Sequence, residues 1–578
     1  MTKEHLIVLF EESAMLMELK GESPFRCQAY AKAARVLAQF EGDLHEAVRN
    51  RSLMDYKGIG KAIFEKISEA VTTGRLSVYE ALKAETPPGL IEMLKIKGLG
   101  PRKLRTIYQA LGVKDLIELE YACVENRLVG LPGFGKKTQE GIREGISYLK
   151  KVRGFIHCHT ARLEGEKLLT QLRRIKGALR ADFAGALRRR SEVVKEIDLI
   201  VSSEDPSDLV HRVHLLPEID DEVEATEETG QKSEGRLFKF NTKSGILVNL
   251  YVVPDDQFPY LLHHYTGSRP YHEAISDRAR AMRMKVSGYG LFLDDHIFPC
   301  RDERDVFSTL ELDYIPPELR ENDGEVEAAA QHRLPELVEE KDIRGIFHVH
   351  SHYSDGAASI SKMVEAAAQL GHEYIGISDH SKSAFYANGL KEDRILKQHE
   401  EIDRIQKRFP RIRIFKGIES DILPNGALDY DDRILSSFDF VIASVHSRFN
   451  MSEKEMTRRI VRAMRHPSVT FLGHPTGRIL LSREGYPLNI PEVIKAARRY
   501  GVVIEINASP YRLDLDWRYC KLAKEAGVRL SINPDAHGIE GISDTTFGVG
   551  IARKGWLSKE DIINTLPLCE IERYLKGK

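Results

Sequence analysis

Nine histidine and acidic side chains in the C-terminal part of the chain have the types and spacing of a metal centre. They stand at or just after short apolar runs that predict β-strands, such as "GIFHVHS", "YIGISDH" and "RLSINPDAH". In a βα barrel the strand ends converge on one mouth, so these side chains should meet there. A lone histidine is more often a packed core residue, but packing does not easily explain six of them beside three acids. The candidate ligands are His348, His350, Asp355, His380, Glu419, His446, His474, Asp535 and His537.

Imidazole combined with carboxylate suits Zn²⁺, Mn²⁺ or Fe²⁺ better than Ca²⁺, and the set could hold two or three divalent ions. Such an ion lowers the pKa of its bound water to about 7, and a neighbouring ion can hold a phosphate and the leaving oxygen. The constellation therefore indicates hydrolysis of phosphoesters. Arg448, two residues after His446, could contact the phosphate, although an ordinary surface arginine would look the same.

A second pair of acids lies in "KEIDLIV", residues 195–201. Glu196 and Asp198 are one residue apart on a predicted strand, so both side chains point to the same face. That arrangement suits the shared binding of divalent metal that phosphoryl transfer needs. Because Mg²⁺ demands near-ideal octahedral geometry, the longer glutamate is not a free replacement for an aspartate.

A short phrase recurs three times in the first 150 residues, as "YKGIGKAIFEKI", "IKGLGPRKLRTI" and "LPGFGKKTQEGI". Each copy has an apolar residue, a Gly-x-Gly turn and a basic start to an amphipathic helix, where outward-pointing amides favour an anion. The phrase resembles the helix-hairpin-helix motif, which grips DNA phosphates without reading bases. A tight helix-helix turn without a ligand is the alternative, and three copies make it the weaker one. The glycines are Gly58, Gly60, Gly98, Gly100, Gly133 and Gly135, and the adjacent cations are Lys61, Arg102, Lys103, Lys136 and Lys137.

The chain that must position these groups has 578 residues, too many for one core, so three or more domains are expected. A formal net charge of −2 means that any nucleic-acid surface must be local. Six scattered cysteines without a CxxC pair indicate reduced thiols in a cytoplasm rather than disulfides or a thiolate zinc site. The start "MTKEHLIVLFEESAMLMELKG" carries acids and predicts an amphipathic helix, neither signal peptide nor membrane span.

Helical patterns fill residues 1–150, and an α/β pattern follows over 151–255. There "IHCHT" (156–160) has metal-binding residue types but no nearby carboxylate, which favours an ordinary strand or helix start. The acidic stretch "EIDDEVEATEETGQKSEG" predicts a solvated loop, and "ENDGEVEAAAQHRLPELVEEKD" an acidic connector with one helix. From Asp342 onward strands alternate with amphipathic helices, which predicts repeated βα units in a parallel sheet or barrel.

The C-terminal motifs "HVHSHYSDG", "SDHS", "GIES", "ASVH", "GHP" and "DAH" resemble the PHP (polymerase and histidinol phosphatase) domain, a distorted βα barrel with a trinuclear metal site. All nine ligand positions are filled. The resemblance implies three ion sites, of which Glu419 bridges the first two. The implied groups are His348, His350, Glu419 and Asp535; then Glu419, His446 and His474; then Asp355, His380 and His537.

Residues 1 to about 318 resemble family X DNA polymerases through "GIGKAIFEKI", "LPGFGKKT", "GALRRRSEVVKEIDLIV", "VNLYVVP" and "YTGS". With the PHP domain appended, the whole chain looks like a bacterial PolX. The implied multidomain organisation has an α-helical helix-hairpin-helix region, an α/β nucleotidyltransferase-like palm with a thumb, and a βα barrel. Its bounds are 1–80 (lyase-like domain), 81–150 (fingers), 151–255 (palm), 256–318 (thumb), 319–341 (linker) and 342–578 (PHP domain).

The match in the palm is partial. The family pattern has Gly-Ser, two arginines, Asp-x-Asp and a third Asp on a later strand. Here Ala186 replaces the serine, Glu196 replaces the first Asp, and Asn249 replaces the third. The position of the nucleotide-contacting asparagine after "YTGS" is held by His272. The two arginines of the pattern are kept as Arg188 and Arg189, and the nucleotide-binding positions are Gly185, Arg189, Gly267 and His272. These departures predict the remains of a polymerase site, with Mg²⁺ or Mn²⁺ bound there only if synthesis survives.

Lys66 aligns with the lysine that forms a Schiff base with abasic-site sugar in lyase-competent members of the family. A solvated or phosphate-binding lysine is the alternative.

Four functions compete. The first is a metal-dependent DNA nuclease: a 3′-5′ exonuclease with a further option of abasic-site endonuclease activity, in base-excision repair. The second is an active gap-filling DNA polymerase, the third a small-molecule phosphatase of the PHP type, and the fourth a non-catalytic DNA-binding module. The expected partner is DNA that is gapped, nicked or 3′-ended, bound without sequence preference, and the expected protein is a monomer of the bacterial cytoplasm that binds no membrane.

Overall fold

A computed structural model describes residues 1, 3–40, 42–213, 215–216, 218–226, 236–294 and 296–577. The chain forms two compact units, Met1–Arg153 and Gly154–Lys578. In the part of the chain that the structure describes, no helix has the length and apolar composition needed to cross a membrane.

The first unit is entirely helical, as predicted. Its helices bury apolar side chains in two clusters, one drawn mainly from residues 6–82 and the other mainly from residues 90–146. The division into lyase-like and fingers domains at residue 80 stays a prediction. The α-helices are Lys3–Lys20, Pro24–Gln39, Leu44–Arg49, Lys61–Thr73, Ser77–Glu85, Pro88–Met93, Pro101–Leu111, Leu116–Val124 and Lys136–Val152.

The second unit begins with the palm region. Its five-stranded sheet has the spatial order Ala178–Phe183, Glu196–Ser203, Leu247–Val253, Arg236–Thr242 and Ile219–Thr226. Strands Glu196–Ser203 and Leu247–Val253 run parallel and the other neighbours antiparallel. The remaining elements are the strands Ile156–His157 and Val193–Val194 and the helices Cys158–Leu172, Gly185–Arg188 and Pro206–Val213.

Two sequence expectations in this region can be compared with the structure. "IHCHT" is a strand end followed by a helix start, as predicted. The predicted acidic loop is wrong for residues 219–226, because Ile219–Thr226 is an edge strand paired antiparallel with Arg236–Thr242. Backbone pairing to a neighbouring strand outweighed the polar composition there. Residues 227–235 of the same expectation lie outside the described residues.

The thumb region packs helices on a small antiparallel sheet. Its helices are Phe258–Thr266, Arg269–Ala281 and Glu303–Thr309, and its strands are Met284–Ser287, Gly290–Leu293 and His296–Ile297. The segment 319–341, expected as a linker with one helix, contains the helix Glu325–Ala330. Several of its side chains are buried, among them Arg320, Ala329 and Val338, each 0% exposed, while most of the polar side chains between them are exposed. The segment is therefore a packed part of the unit.

The predicted C-terminal βα barrel is confirmed. Seven strands pair in parallel and in chain order, and a parallel bridge from Val349 to Ala536 nearly closes the sheet. In a parallel βα barrel the helices lie outside and the strand ends meet at one mouth. The strands are Gly345–Ile346, Tyr374–Ile377, Arg413–Asp421, Phe440–Ser444, Val469–Leu472, Val503–Asn507 and Leu530–Asn533. The α-helices are Ile360–Gln369, Glu392–Arg408, Asp432–Leu435, Glu453–Met464, Ile490–Tyr500, Trp517–Glu525, Thr545–Lys554 and Leu568–Lys576.

The palm region and the barrel share one apolar cluster, which runs from Leu168 and Ile197 to Ile504 and Val549. Polar contacts reinforce it: Arg190 Nη1 donates to the Thr546 carbonyl at 3.2 Å, and Lys554 Nζ to the Arg189 carbonyl at 3.3 Å.

Candidate metal centre, palm site and DNA-binding hairpins

The barrel brings all nine predicted metal ligands together at its mouth. Three overlapping groups have one ligand atom from each member within 4.8 Å of the others. His350 and His380 each belong to two groups, so the centre is continuous. The groups are His350, Asp355, His380 and His537; His348, His350 and Asp535; and His380, Glu419 and His446.

Glu419 lies at the middle of the centre. Its Oε1 is 2.9 Å from His474 Nε2 and 3.2 Å from His446 Nε2. Its Oε2 is 2.7 Å from His380 Nδ1, and its backbone continues the long strand Arg413–Asp421. One carboxylate thus faces three imidazoles through its two oxygens.

The donor set fits divalent metal. His348 Nε2 and His350 Nδ1 are buried and have no hydrogen-bond partner among the described residues. Unsatisfied buried donors and acceptors are costly, and metal coordination is one way to satisfy them. Burial, followed by the charges of His537 and His380, lowers the pKa of His350 to about 3, so this imidazole is in the neutral form that ligates metal.

The charge on Glu419 is stabilised by its neighbours. Burial alone would favour the neutral acid, but the imidazoles of His446, His380 and His348 hold the pKa of Glu419 well below its usual range. The carboxylate is therefore ionised at neutral pH and available to cations.

A layer of supporting residues orients these ligands, and the sequence reasoning missed it. Glu505 Oε1 is 2.7 Å from His348 Nδ1, and Asp421 Oδ1 is 3.1 Å from His446 Nδ1. Such contacts fix the tautomer and the orientation of a ligating imidazole. The signal was present as a period of two: Asp421 follows Glu419 on the same strand face. Glu505 lies in "VVIEINAS", the one barrel strand that supplied no predicted ligand.

Two more groups complete the mouth. Arg512 Nε lies 3.4 Å from Asp535 Oδ2, and Asn507 Nδ2 donates to the same oxygen at 3.0 Å. Arg448, predicted as a phosphate contact, is exposed two residues after His446, with a backbone φ of 58°. Arg512 thus has a ligand contact that Arg448 lacks in the described structure.

The loop that carries His350 and Asp355 is fixed by buried Asp379. Its carboxylate accepts hydrogen bonds from Ser351 Oγ at 2.6 Å and from Gln398 Nε2 at 2.6 Å. Burial raises the pKa of Asp379, and these hydrogen bonds oppose the shift.

The palm site is built around the buried carboxylate of Asp198 and its neighbour Asn249. Asp198 faces Asn249 across the parallel strand pair, and Asn249 Nδ2 donates to Asp198 Oδ1 at 2.9 Å. Burial raises the pKa of Asp198 to about 6, while the Asn249 amide opposes this shift and the charge of Glu196 adds to it. Gly185, at φ 58°, lies so near that an added Cβ would be 1.9 Å from Asp198 Oδ2. The asparagine therefore hydrogen-bonds the aspartate instead of adding a third carboxylate.

The palm arginines are paired with acids from elsewhere in the unit. Arg188 contacts both carboxylate oxygens of Glu303 at 2.9 Å, a bidentate pair. Arg189 Nε contacts Glu321 at 2.9 Å. Their charges serve internal contacts in this conformation.

The two remaining nucleotide-binding positions lie beside each other at the thumb. An added Cβ on Gly267 would be 3.1 Å from His272 Cε1, and both residues line a surface hollow of about 690 Å³. Burial and the neighbouring His264 lower the pKa of His272 to about 4, so its ring is neutral at pH 7.

The three hairpins of the first unit have one geometry. The first glycine of each copy has positive φ: 127° at Gly58, 82° at Gly98 and 81° at Gly133. The residue between the glycines is buried, and the second glycine, Gly60, Gly100 or Gly135, caps the following helix. An added Cβ on any of these three caps meets no atom within 4 Å, so the turn backbone is open to a ligand.

The cations of the hairpins are not equally available. Arg102 pairs with Glu18 at 2.7 Å, and Lys103 Nζ donates to the Gly98 carbonyl at 3.2 Å. Lys136 and Lys137 are exposed at the start of their helix.

Lys66 also has side-chain partners within the first unit. Its Nζ lies 2.7 Å from Glu69 Oε2 and 3.4 Å from Ser77 Oγ. The ion pair fits the solvated or phosphate-binding alternative more directly than a free nucleophile, and the lyase role stays a prediction.

Comparison with known proteins gives the family. Over 583 aligned residues the chain is 38% identical to the Bacillus subtilis protein named DNA polymerase/3′-5′ exonuclease PolX, and the alignment covers 100% of both chains. The chain belongs to the PolX family. Family models agree with this PolX assignment: two helix-hairpin-helix models match residues 1–76 and 90–147, a DNA polymerase beta thumb model matches 261–321, and a PHP domain model matches 347–509.

Shorter relatives share part of the PolX chain. A probable phosphatase of Caldanaerobacter subterraneus is 28% identical over 255 residues, covering 41% of this chain and 93% of that protein. A probable phosphatase of a Thermoanaerobacter species is 29% identical over 248 residues, covering 40% and 94%. This PolX chain is thus an enzyme with DNA-binding helix-hairpin-helix motifs and a metal-binding PHP hydrolase domain.

Proposed function

We propose that this PolX protein is a 3′-5′ exonuclease in base-excision repair, with hydrolysis of DNA phosphodiesters at the PHP centre. The observation that carries the proposal is the set of nine ligands around Glu419, in which buried donor atoms lack hydrogen-bond partners. The name of the Bacillus subtilis relative supports the direction of digestion. Abasic-site endonuclease activity at the same centre belongs to the proposal.

The centre holds two or three ions, of which Zn²⁺ or Mn²⁺ is the best match to imidazole and carboxylate. Bound metal supplies water activation and charge neutralisation for phosphoester hydrolysis. Glu419 would be shared between two ion positions, His348, His350 and Asp535 would complete one of them, and the other candidate ligands would hold the remaining ions. Arg512, beside Asp535, adds positive charge where a phosphate enters.

DNA is gripped by the three hairpins through its phosphates, without sequence preference. The open turn backbones and the exposed Lys136 and Lys137 support this. Gapped, nicked or 3′-ended DNA is the proposed substrate, and the protein acts as a monomer in the bacterial cytoplasm.

DNA synthesis is proposed to be lost or weak. Ala186, Glu196, Asn249 and His272 depart from the family pattern, and the Asn249 amide occupies one oxygen of Asp198. Mg²⁺ or Mn²⁺ binds the palm only if synthesis survives. Gap filling by an active polymerase remains the competing function, and the name of the relative favours it.

A small-molecule phosphatase is the second competitor, because the shorter relatives are named probable phosphatases. The open hairpin backbones of the first unit would then have no use.

A primer-template assay with a 5′-labelled primer separates these functions. With Mn²⁺ and all four deoxynucleotides, the exonuclease shortens the primer and a polymerase extends it. A phosphatase leaves the primer length unchanged but hydrolyses small phosphomonoesters. Extension of the primer, or phosphatase activity without shortening, would overturn the proposal.

A further inference from the structure

Three exposed aromatic rings lie on the loops that follow two strands of the barrel, and neither the ligand set nor the core accounts for them. Phe385 is 84% exposed, Tyr386 72% and Tyr511 53%. Exposed apolar side chains that lie together can mark a binding surface. We call these three rings the aromatic platform.

The first part of the platform sits on the loop after His380. The Tyr386 ring centroid is 6.1 Å from that of His380, a predicted metal ligand. The loop is tied down: Ser383 N donates to Asp429 at 2.6 Å, and Leu390 N donates to the His380 carbonyl at 2.8 Å. Phe385 and Tyr386 are therefore presented to solvent by a fixed backbone, which lowers the entropic cost of binding a ligand.

The same loop is joined to the metal ligands through Asp421. One oxygen of Asp421 accepts a hydrogen bond from Ser383 Oγ at 3.1 Å, while the other is 3.1 Å from His446 Nδ1. The position of the rings is thereby coupled to the position of a ligating imidazole.

The second part of the platform is Tyr511, on the loop after strand Val503–Asn507. Tyr511 precedes Arg512, whose guanidinium contacts Asp535 at 3.4 Å. Its ring packs edge-on against His157 and His159 of the palm region, with centroids 5.0 Å apart in both cases. The histidines of "IHCHT" thus contact the Tyr511 ring.

We propose that the aromatic platform stacks the unpaired bases at the 3′ end of a DNA strand while its phosphodiester lies at the metal centre. Aromatic rings stack on any base, so the contact is independent of sequence. Bases in a duplex already stack on each other, so the surface selects unpaired or frayed ends over paired ones. Arg512 gives the charge complementarity that the strand's phosphates require.

This inference rests on the proposed nuclease function. It is tested by combining protein variants that lack the aromatic rings with a DNA strand that lacks its terminal bases. The variants are Phe385→Ala with Tyr386→Ala, and separately Tyr511→Ala. The matched controls, Phe385→Tyr with Tyr386→Phe and Tyr511→Phe, keep the rings. The substrates are a 5′-labelled single-stranded oligonucleotide and the same strand ending in two abasic tetrahydrofuran residues, in Mn²⁺.

On the normal strand KM should rise on the order of 10-fold or more for each ring set removed, because stacking on one aromatic side chain is worth roughly 1–3 kcal/mol per base. On the abasic-ended strand the wild type should already bind weakly, and the alanine variants should match it. The ring-keeping controls should behave as the wild type. An equal rise in KM on both strands, or no rise on either, would contradict the proposed role of the aromatic platform.

A binding readout separates failure of the platform from failure of the nuclease proposal. In a Glu419→Gln background, 2-aminopurine at the 3′ terminus should be quenched on binding, and Phe385→Ala with Tyr386→Ala should remove the quenching. If the wild type shortens no strand, the nuclease function fails, yet quenching still decides the platform. Absence of quenching in Glu419→Gln alone counts against the platform.

Discussion

The PHP centre and the palm site are both built on two acids one residue apart on a strand, and they differ in what their neighbours offer. Both carboxylate oxygens of Glu419 face imidazoles, which are themselves candidate metal ligands. Asp198 accepts an amide hydrogen bond from Asn249. A carboxylate pair becomes a metal site only where the surrounding groups leave its lone pairs available.

The pKa values of Glu419 and Asp198 distinguish the two sites in the same way as their hydrogen bonds do. Against the effect of burial, imidazoles hold the pKa of Glu419 well below its usual range. At Asp198 burial dominates and raises the pKa to about 6. The palm's positive charges are also paired internally, as in the Arg188–Glu303 ion pair. The PHP centre therefore attracts cations, whereas the charged groups of the palm are paired with partners inside the protein.

The largest effect should come from removing the bridging carboxylate. Glu419→Ala should abolish strand shortening and reduce bound metal, because the charge shared between ion positions is lost. Metal content by elemental analysis and the 5′-label assay measure both. Glu400→Ala, an exposed glutamate on helix Glu392–Arg408, is the control and should leave both unchanged. Digestion at the wild-type rate by Glu419→Ala would show that the centre is assigned wrongly.

Restoring the palm is the second test, made in a Glu419→Ala background on a gapped substrate so that digestion cannot mask synthesis. Asn249→Asp alone should gain little extension, because residues that act as a unit are not additive. The combination Ala186→Ser, Glu196→Asp, Asn249→Asp and His272→Asn should gain more.

The control for that test is the protein with Glu419→Ala and an unchanged palm. Robust extension by this control would remove the contrast between the two sites, since the palm would then be active as it stands.

An intermediate effect is expected from the residues that support the PHP ligands. Glu505→Gln weakens the partner of His348 Nδ1 while keeping its size, and should lower metal affinity or activity roughly 10- to 100-fold. Competition with a chelating dye measures the affinity. Glu400→Gln is the matched control. An unchanged metal affinity would mean that the contact between Glu505 and His348 does not contribute to metal binding.

The smallest effect concerns stability. The folded-state pKa of Asp198 is raised from 3.8 to about 6, so the folded protein binds a proton more tightly than the unfolded chain. Stability is therefore lost as pH rises from about 4 to about 6 and stays reduced above that range. Asp198→Asn should recover on the order of 1–3 kcal/mol at pH 8 and little at pH 4.

Thermal unfolding with a chelator present measures this difference, and Glu400→Gln should show no pH-dependent gain. Equal gains at pH 4 and pH 8 would indicate that the charge of Asp198 carries no cost.

The sequence by itself determined the features that depend on local pattern. The position of the nine candidate ligands at the ends of predicted barrel strands placed them at one mouth, and the Gly-x-Gly repeats placed three hairpin turns with helices beginning at Lys61, Pro101 and Lys136. These features follow from a few adjacent residues, so no distant contact was needed to find them.

Only the tertiary structure decided which side chains have partners within the protein and which are available to a ligand. Glu505 supports His348 from 157 positions away, and Glu303 binds Arg188 from 115 positions away. The polar stretch Ile219–Thr226 became a strand because a neighbouring strand paired with it. Residues 319–341 became part of the packed unit, with Arg320 fully buried. A side chain's type is written in the sequence, but its partner, and hence its charge and availability, depends on contacts between segments that are far apart in the chain.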